Sequence, residues 1–442
     1  MPEMTDVLLN QAQLALQLAL DAGANDAVAG LSDGYSTSFT YRNGKLEEVK
    51  QSASRSLGVA LYVDGRYSNH STTDLRPAEL KRFIQDAVEL TKHLERDPFR
   101  VLPDAKLYAD RAKLDLDQVD KNAATELNRD RGLVWLREMD AAARSDKRVI
   151  SASSHLGYGY SASARVTSNG FSGTREGTGV SFGSSITLDE PGGRRPEAGR
   201  HVGHCHKSAL PEPVTTATEA LQRAIDRLGS TKAPSAKATL VIDPEAGSNI
   251  VGRLIGALSA GAIQQKRSFL ANKKGERVAS ELLTLTDDPF IPGRQSSRLF
   301  DGEGISAKVM PLLDKGVLQN YYIDTYYGKK LGWEPTTGGS SNIRFGLGTK
   351  NLEQLLADAG TGFYVNSWLG GNCDGTTGDF SLGIRGHLIE HGKKAGPIGE
   401  MNITGNVLEL FSNLIAVGND PYAYSSYATP TLVFKDVQFS GQ

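Results

Sequence analysis

Three histidines and a cysteine lie close together in His201-Val202-Gly203-His204-Cys205-His206. On an extended strand, residues two apart share a face, so His204 and His206 would project together with Cys205 on the opposite side. Two imidazoles, with or without the thiolate, could begin a zinc site, which takes four nitrogen, sulfur or oxygen ligands in a tetrahedron. No remote carboxylate or cysteine pair stands out to complete the set. Imidazole is a common but unspecific ligand, so the plain alternative is a strand with solvent-facing histidines and an inward-facing cysteine.

A second string, His387-Leu388-Ile389-Glu390-His391, fits the H-x-x-E-H pattern of inverted zinc peptidases. That chemistry requires a helix, where histidines one turn apart converge on a metal. Here Gly386 precedes the string and Gly392-Lys393-Lys394-Ala395-Gly396-Pro397 follows it. The context predicts a strand from Ile384 to Ile389 entering a turn at Glu390–Lys393. In a strand the two histidines stand about 13 Å apart at roughly 3.3 Å per residue. The two cysteines, Cys205 and Cys373, form no C-x-x-C pair. Gly346-Leu347-Gly348-Thr349-Lys350 lacks the spacing of a phosphate loop and reads as an ordinary loop. Tyr321, Tyr322, Tyr326 and Tyr327 read as core and edge packing, with a peptide groove as the alternative.

The elements that must position these residues follow from periodicity and turn signals. Val7–Ala22 carries apolar residues at helical spacing and stops at Gly23. Asn43-Gly44 and Asp64-Gly65 each separate two strand-like runs, Ser36–Arg42 from Lys45–Gln51 and Leu57–Val63 from Arg66–Ser71. Pro77 opens a helix to about Lys92. A second block has a helix at Leu133–Arg144, strands from about 149 to 208 with turns at Ser168-Asn169-Gly170 and Pro191-Gly192-Gly193, and a helix from about 214 to 228. The third block opens on a buried-type strand, Ala238–Ile242. Asp243-Pro244-Glu245 then supplies a cap acceptor, a proline at the first helical position and an acid in the first turn, predicting a helix to about Ala260. Strands and glycine-rich loops fill 280–440. Residues 97–120 and 229–236 read as linkers. The expected blocks are 1–110, 111–232 and 233–442, an α+β architecture with two N-terminal α+β subdomains and a strand-rich C-terminal domain.

Composition narrows the function classes. The chain has 442 residues, 39% hydrophobic and 23% charged, with a net charge of -2. That balance gives no electrostatic drive toward nucleic acid. No run approaches the roughly 18 apolar residues of a membrane span. The apolar-rich Val7–Ala22 follows Glu3 and Asp6 rather than a basic segment, unlike a signal peptide. These features and the sparse cysteines predict a cytoplasmic protein.

Several fragments, in order, resemble the TldD/TldE (PmbA) metalloprotease family, also called modulator of DNA gyrase. They are Asp287-Asp288-Pro289 leading to Ser297-Arg298-Leu299-Phe300-Asp301-Gly302-Glu303-Gly304; Gly316-Val317-Leu318; Tyr326 with Lys329-Lys330-Leu331-Gly332; Asp379-Phe380-Ser381; Gly386–Glu390; and Val417-Gly418-Asn419-Asp420. Gly58-Val59-Ala60 in the first block is similar too, so the resemblance spans nearly the whole chain.

The resemblance implies a site and its loss. TldD-type subunits carry an H-E-x-x-x-H helix, and a cysteine in a glycine-rich loop near the C-terminus completes their metal site. The matching helix here begins Pro244-Glu245-Ala246-Gly247-Ser248-Asn249. Pro244 and Asn249 fall on the two histidines and Glu245 on the glutamate. Proline cannot ligate zinc, and asparagine is a poor zinc ligand. Pro421 to Ala428, where the cysteine is expected, contains none. The helix dipole alone can account for an acid at Glu245. The resemblance therefore implies a TldE-type subunit with no catalytic or metal-binding residues of its own. Zinc is expected in a TldD-type partner, in a heterodimer acting on flexible peptides and the leader of a peptide antibiotic, with a homodimer possible in isolation. Two alternatives stand beside this. One is an independent hydrolase with metal at His201/His204/His206 or His387/His391; the other is a peptide-binding homodimer without catalysis.

Overall fold

The structure, a computed structural model, describes residues 2–122 and 127–441. Met1 and Gln442, the outer limits of the first and third expected blocks, lie outside them. The chain is α+β throughout. Strands β1 (Asp26–Arg42), β2 (Lys45–Val63), β3 (Arg66–Thr72), β4 (Val149–Thr167), β5 (Ser172–Leu188) and β6 (Glu197–His204) form one antiparallel sheet in the order β3-β2-β1-β4-β5-β6. Both N-terminal blocks thus contribute to a single sheet. The two predicted hairpins are present. Asn43-Gly44 has φ of 48° and 81° and Asp64-Gly65 has 48° and 75°, the pair of positive values that matches the twist of flanking strands.

Four helices cover one face of this sheet. In α1 (Pro2–Asp21), Leu8, Ala12, Ala15 and Ala19 recur at helical spacing and pack with α2 (Pro77–Thr91) on β2 and the second half of β4. In α3 (Arg129–Ala143) and α4 (Pro213–Ile225), Trp135, Leu136, Met139, Ala217, Ala220 and Leu221 pack over Leu156, Val180, Phe182 and Ile186. Alternation along β4 puts all of its core residues on this helix-covered side.

Residues 97–120 are not a free linker, contrary to the sequence expectation. They form a strap between the sheet and the C-terminal domain. Thr178 N donates to Gln118 O, Gly293 N to Leu116 O and Ser306 N to Leu107 O, at 2.9, 2.8 and 2.9 Å. Tyr326 donates its hydroxyl to Asp97, and its ring lies 3.6 Å from the Arg100 guanidinium carbon. Backbone groups in such a segment need partners as much as those in a strand do, and here both neighbouring domains supply them.

The C-terminal domain starts with β7 (Ala236–Ile242), followed by α5 (Pro244–Gly256) and the short α6 (Ala260–Gln264). The predicted helix to Ala260 therefore ends a turn early. Ala257 caps it, and Ala260 N turns instead to the carbonyl of Tyr322. A small sheet, β10-β9-β8-β11, comprises β8 (Leu285–Asp287), β9 (Met310–Asp314), β10 (Val317–Leu318) and β11 (Ile343–Phe345), with α7 (Thr325–Leu331) alongside. The main sheet has the order β14-β13-β12-β7-β16-β15, from β12 (Gly362–Cys373), β13 (Asp379–Glu390), β14 (Lys393–Asn406), β15 (Leu414–Val417) and β16 (Leu432–Ser440). A further pairing of β14 with β16 curls it into a barrel-like body. β7 lies inside it, parallel to β12 and antiparallel to β16. That placement explains why Leu240, Val241 and Ile242 are all apolar and fully buried. Among the described residues no helix is long and apolar enough to cross a membrane.

Candidate functional site

The β7–α5 junction opens into a cavity of 670 Å³ between the two large sheets. Its walls come from β5 and β6, the end of α4, Asp243 and Glu245, and the strands β12, β13 and β14. The local sequence dictates the junction. Asp243 accepts the N–H of Glu245 at 2.8 Å, and Pro244 occupies the first helical turn where no N–H is needed. The second carboxylate oxygen of Asp243 takes the hydroxyl of Tyr364. Ala246, Ile250, Val251 and Leu254 turn α5 into the core. A side chain at Gly247 would meet Thr429 at 2.3 Å, so glycine is required where helix and loop touch.

Glu245 has a different role from the one the helix dipole suggests. Asp243 already takes the first free helical N–H, and the Glu245 carboxylate is taken up by two arginines from other elements. Its Oε2 accepts from Arg200 Nη1 of β6 at 2.7 Å and from Arg223 Nη2 of α4 at 2.6 Å. Arg200 also pairs with Glu219. The pairing with Glu245 holds the Arg223 guanidinium above its ordinary pKa despite burial, which acts the other way and is the largest influence. Sequence reasoning missed both arginines. The one hint was that Arg223 and Arg227 lie one turn apart on the helix predicted over 214–228.

The other two motif positions carry no metal-binding geometry. Pro244 offers no donor atom. Asn249 is exposed, and its Oδ1 accepts from Arg253 at 3.3 Å. The loop expected to supply a cysteine does return to this place, but with Tyr422. Its hydroxyl reaches His201 O at 3.5 Å, and its ring lies 6.0 Å from the Arg200 guanidinium carbon. Burial, then the charge of Glu245, pushes the Tyr422 hydroxyl up to about 12. A donor-free proline, an outward asparagine and a glutamate held by two cations do not fit a zinc ion.

The histidine strings are not drawn together. His201 and His204 are three apart on β6, so alternation puts them on opposite faces. The His201 ring packs 4.8 Å from that of His155. His204 Nδ1 accepts the backbone N–H of His206 at 3.0 Å, and His206, beyond the strand end, donates to Asp117 O at 2.6 Å. Cys205 is buried, and that burial raises its thiol to about 11. His387 lies on β13, as the strand reading predicts, and His391 sits in the turn with φ 51°. Among the described residues no group of three or more His, Cys, Asp or Glu side chains is placed to hold a metal. No G-x-S-x-G elbow is expected from the sequence, although the string Gly179-Val180-Ser181-Phe182-Gly183 is present; it runs along the middle of β5 rather than a strand-to-helix turn. It is no nucleophile elbow. The tyrosine group is structural. Tyr321 donates to Leu270 O at 2.7 Å and stacks on Trp333, Tyr322 donates to Asp287 at 3.0 Å, and Tyr326 joins the strap.

The segment Asp287–Gly304, one of the fragments that carry the family resemblance, is a scaffold of satisfied carboxylates. Asp287 accepts from the backbone and hydroxyl of Ser341 as well as from Tyr322. Asp301 accepts the N–H groups of Glu303, Ile305 and Gly338.

Comparison with known proteins agrees with this architecture. Family models described as PmbA/TldA metallopeptidase domain 1, central domain and C-terminal domain match residues 27–91, 114–228 and 235–441. Metalloprotease PmbA of Escherichia coli O157:H7 is 27% identical, the match covering 99% of this chain and 96% of that protein. A crystal structure from Bacteroides thetaiotaomicron, described as a modulator of DNA gyrase, superimposes with a TM-score of 0.95 at 40% identity, covering 98% of each chain. TldE from Thermococcus kodakarensis shares the fold, with a TM-score of 0.85 at 19% identity over 98% of this chain and 100% of that one. Three family domains matched in order, and a solved relative alike over almost the full length, establish that this chain is a PmbA/TldE-type member of the PmbA/TldD metallopeptidase family.

Proposed function

We propose that this chain is the non-metal subunit of a cytoplasmic two-subunit metallopeptidase. A TldD-type partner would supply the zinc and the peptide-bond chemistry. This chain would shape the chamber and hold extended, flexible peptides, including the leader of a peptide antibiotic. The observation that carries the reading is the state of Glu245. A glutamate serving a metal peptidase must be free to take a proton from water. Here the carboxylate at that position is bridged by Arg200 and Arg223. Two guanidinium groups occupy it as hydrogen-bond donors and repel a divalent cation. Pro244 and Asn249 supply no ligand beside it. A family framework kept around residues that cannot do the family's chemistry is most simply explained by assembly and substrate holding.

The isolated protein should carry far less than one zinc per chain by elemental analysis after dialysis against a weak chelator. About one zinc per chain, lost in His204→Ala or His387→Ala, would overturn the reading in favour of an independent hydrolase.

A further inference from the structure

Among the described residues, the cleft around Glu245 holds two cations that make no direct ion pair with a carboxylate. Its acids are occupied. Glu245 is bridged by two arginines, Asp243 is taken by the Glu245 N–H and the Tyr364 hydroxyl, and Asp226 accepts from Gln222 at 2.7 Å. Its bases are not all paired. Arg227 donates through Nη1 to the Glu197 carbonyl and through Nη2 to Ser367 Oγ at 2.9 Å. Lys394, exposed as a residue, folds its ammonium over the ring of Tyr364, 3.8 Å from the centroid. Among the described residues neither makes an ion pair with a carboxylate.

The surroundings disfavour the charged form of both cations. Burial, with Arg385 and Arg223 as like-charged neighbours, lowers Arg227 to about 10. Burial also holds Lys394 below the ordinary lysine range. Asp243 and Asp226 near Lys394, and Glu197 near Arg227, offset part of this without pairing directly, and an incoming anion offsets more of it. His387, on the same wall, donates Nε2–H to the Asp226 carbonyl at 3.2 Å. Burial and then Lys394 lower its pKa, so it adds no third positive charge at neutral pH.

We propose that Arg227 and Lys394 form a carboxylate-binding subsite for peptides entering this cleft. A cavity of 670 Å³ lies within the usual range for small-ligand sites and has room for a short peptide end. The nearby acids Asp226 and Asp243 disfavour a dianion such as phosphate, whereas a single carboxylate meets two cations at modest repulsion. The carboxylate comes either from a chain terminus or from an acidic side chain. The peptide class rests on the proposed substrate-holding role; the anion contact rests on the geometry alone.

The test is calorimetric titration of the isolated full chain at low salt with N-acetyl-dialanine, its C-terminal amide, and the α-amide of N-acetyl-aspartate, which keeps its side-chain carboxylate free. Saturable binding of the free acid that fails with its amide assigns the site to chain termini. Binding of the aspartate probe assigns it to acidic side chains. Lys394→Met should weaken whichever acid binds by about tenfold or more, the loss expected for a hydrogen bond to a charged group, and Arg227→Gln should do the same. Lys394 lies at the start of a strand and is exposed as a residue although its ammonium folds over Tyr364, so its variant remains informative if Arg227→Gln fails to fold. Equal binding of acid and amide, binding unchanged in Lys394→Met, or no binding by any probe overturns the proposal. None of these readouts involves cleavage, so failure here leaves the partner-dependent peptidase reading standing, and failure of that reading leaves this result intact.

Discussion

Glu245→Ala should destabilise the isolated chain by about 2 kcal/mol, between the ~1 kcal/mol ceiling of an exposed ion pair and the ~3–5 kcal/mol cost of stripping one partner from a buried pair. The burial of the three side chains places it there. Glu245 retains 25% of its side-chain exposure, Arg223 33% and Arg200 13%. Water therefore reaches part of the cluster and screens it. Glu219 stays beside Arg200 after the substitution, so Arg223 is the arginine that loses its direct ion pair. Glu245→Gln keeps an acceptor but loses the charge, and should cost about half as much by the same reasoning. The assay is urea denaturation followed by circular dichroism, read as a shift in midpoint at unchanged slope. A double-mutant cycle with Arg223→Met should return a coupling of about 1 kcal/mol or more. A change below ~0.5 kcal/mol in Glu245→Ala, the ordinary range of surface substitutions, would refute the claim that this carboxylate is committed to holding two arginines.

Two further outcomes follow from the same region and the sheet beside it. Asp243→Ala should cost about 2 kcal/mol, the top of the range for a lost helix cap, because Tyr364 loses its acceptor as well; a midpoint equal to that of the unaltered chain would contradict the cap. His155 is lowered to about 4, first by burial and then by the neighbouring His201. Its folded state binds fewer protons than the unfolded chain between the ordinary histidine value of about 6.5 and 4, so stability is lost as pH falls through that window, by up to about 3 kcal/mol. His155→Gln should flatten that part of the stability–pH curve, and an unchanged curve would show that the imidazole is not held neutral.

What the sequence made legible is local. Asn43-Gly44 and Asp64-Gly65 specify hairpins because few residues accept two positive φ values in succession. Asp243-Pro244-Glu245 specifies a helix start from three residues. The strand reading of His387 worked because flanking glycines argue against a helix. What was not legible depends on long-range partners. Arg200 and Arg223 meet Glu245 only through the packing of β6 and α4 against the β7–α5 junction, and no spacing rule connects them. The strap at 97–120 looked like a linker because its hydrogen bonds go to residues far along the chain, such as Leu116 to Gly293. The early end of α5 is likewise tertiary, since Tyr322 captures the backbone of Ala260.

Cleavage of casein or a flexible peptide by this chain alone, by a TldD-type partner alone and by their mixture tests the central claim most directly. The mixture should cleave in a chelator-sensitive manner, this chain alone should not, the partner's motif glutamate should be essential, and Glu245→Gln here should leave most of the activity. Chelator-sensitive cleavage by this chain alone, or abolition of the mixture's activity by Glu245→Gln in a folded complex, would place the catalytic role in this subunit and contradict the account.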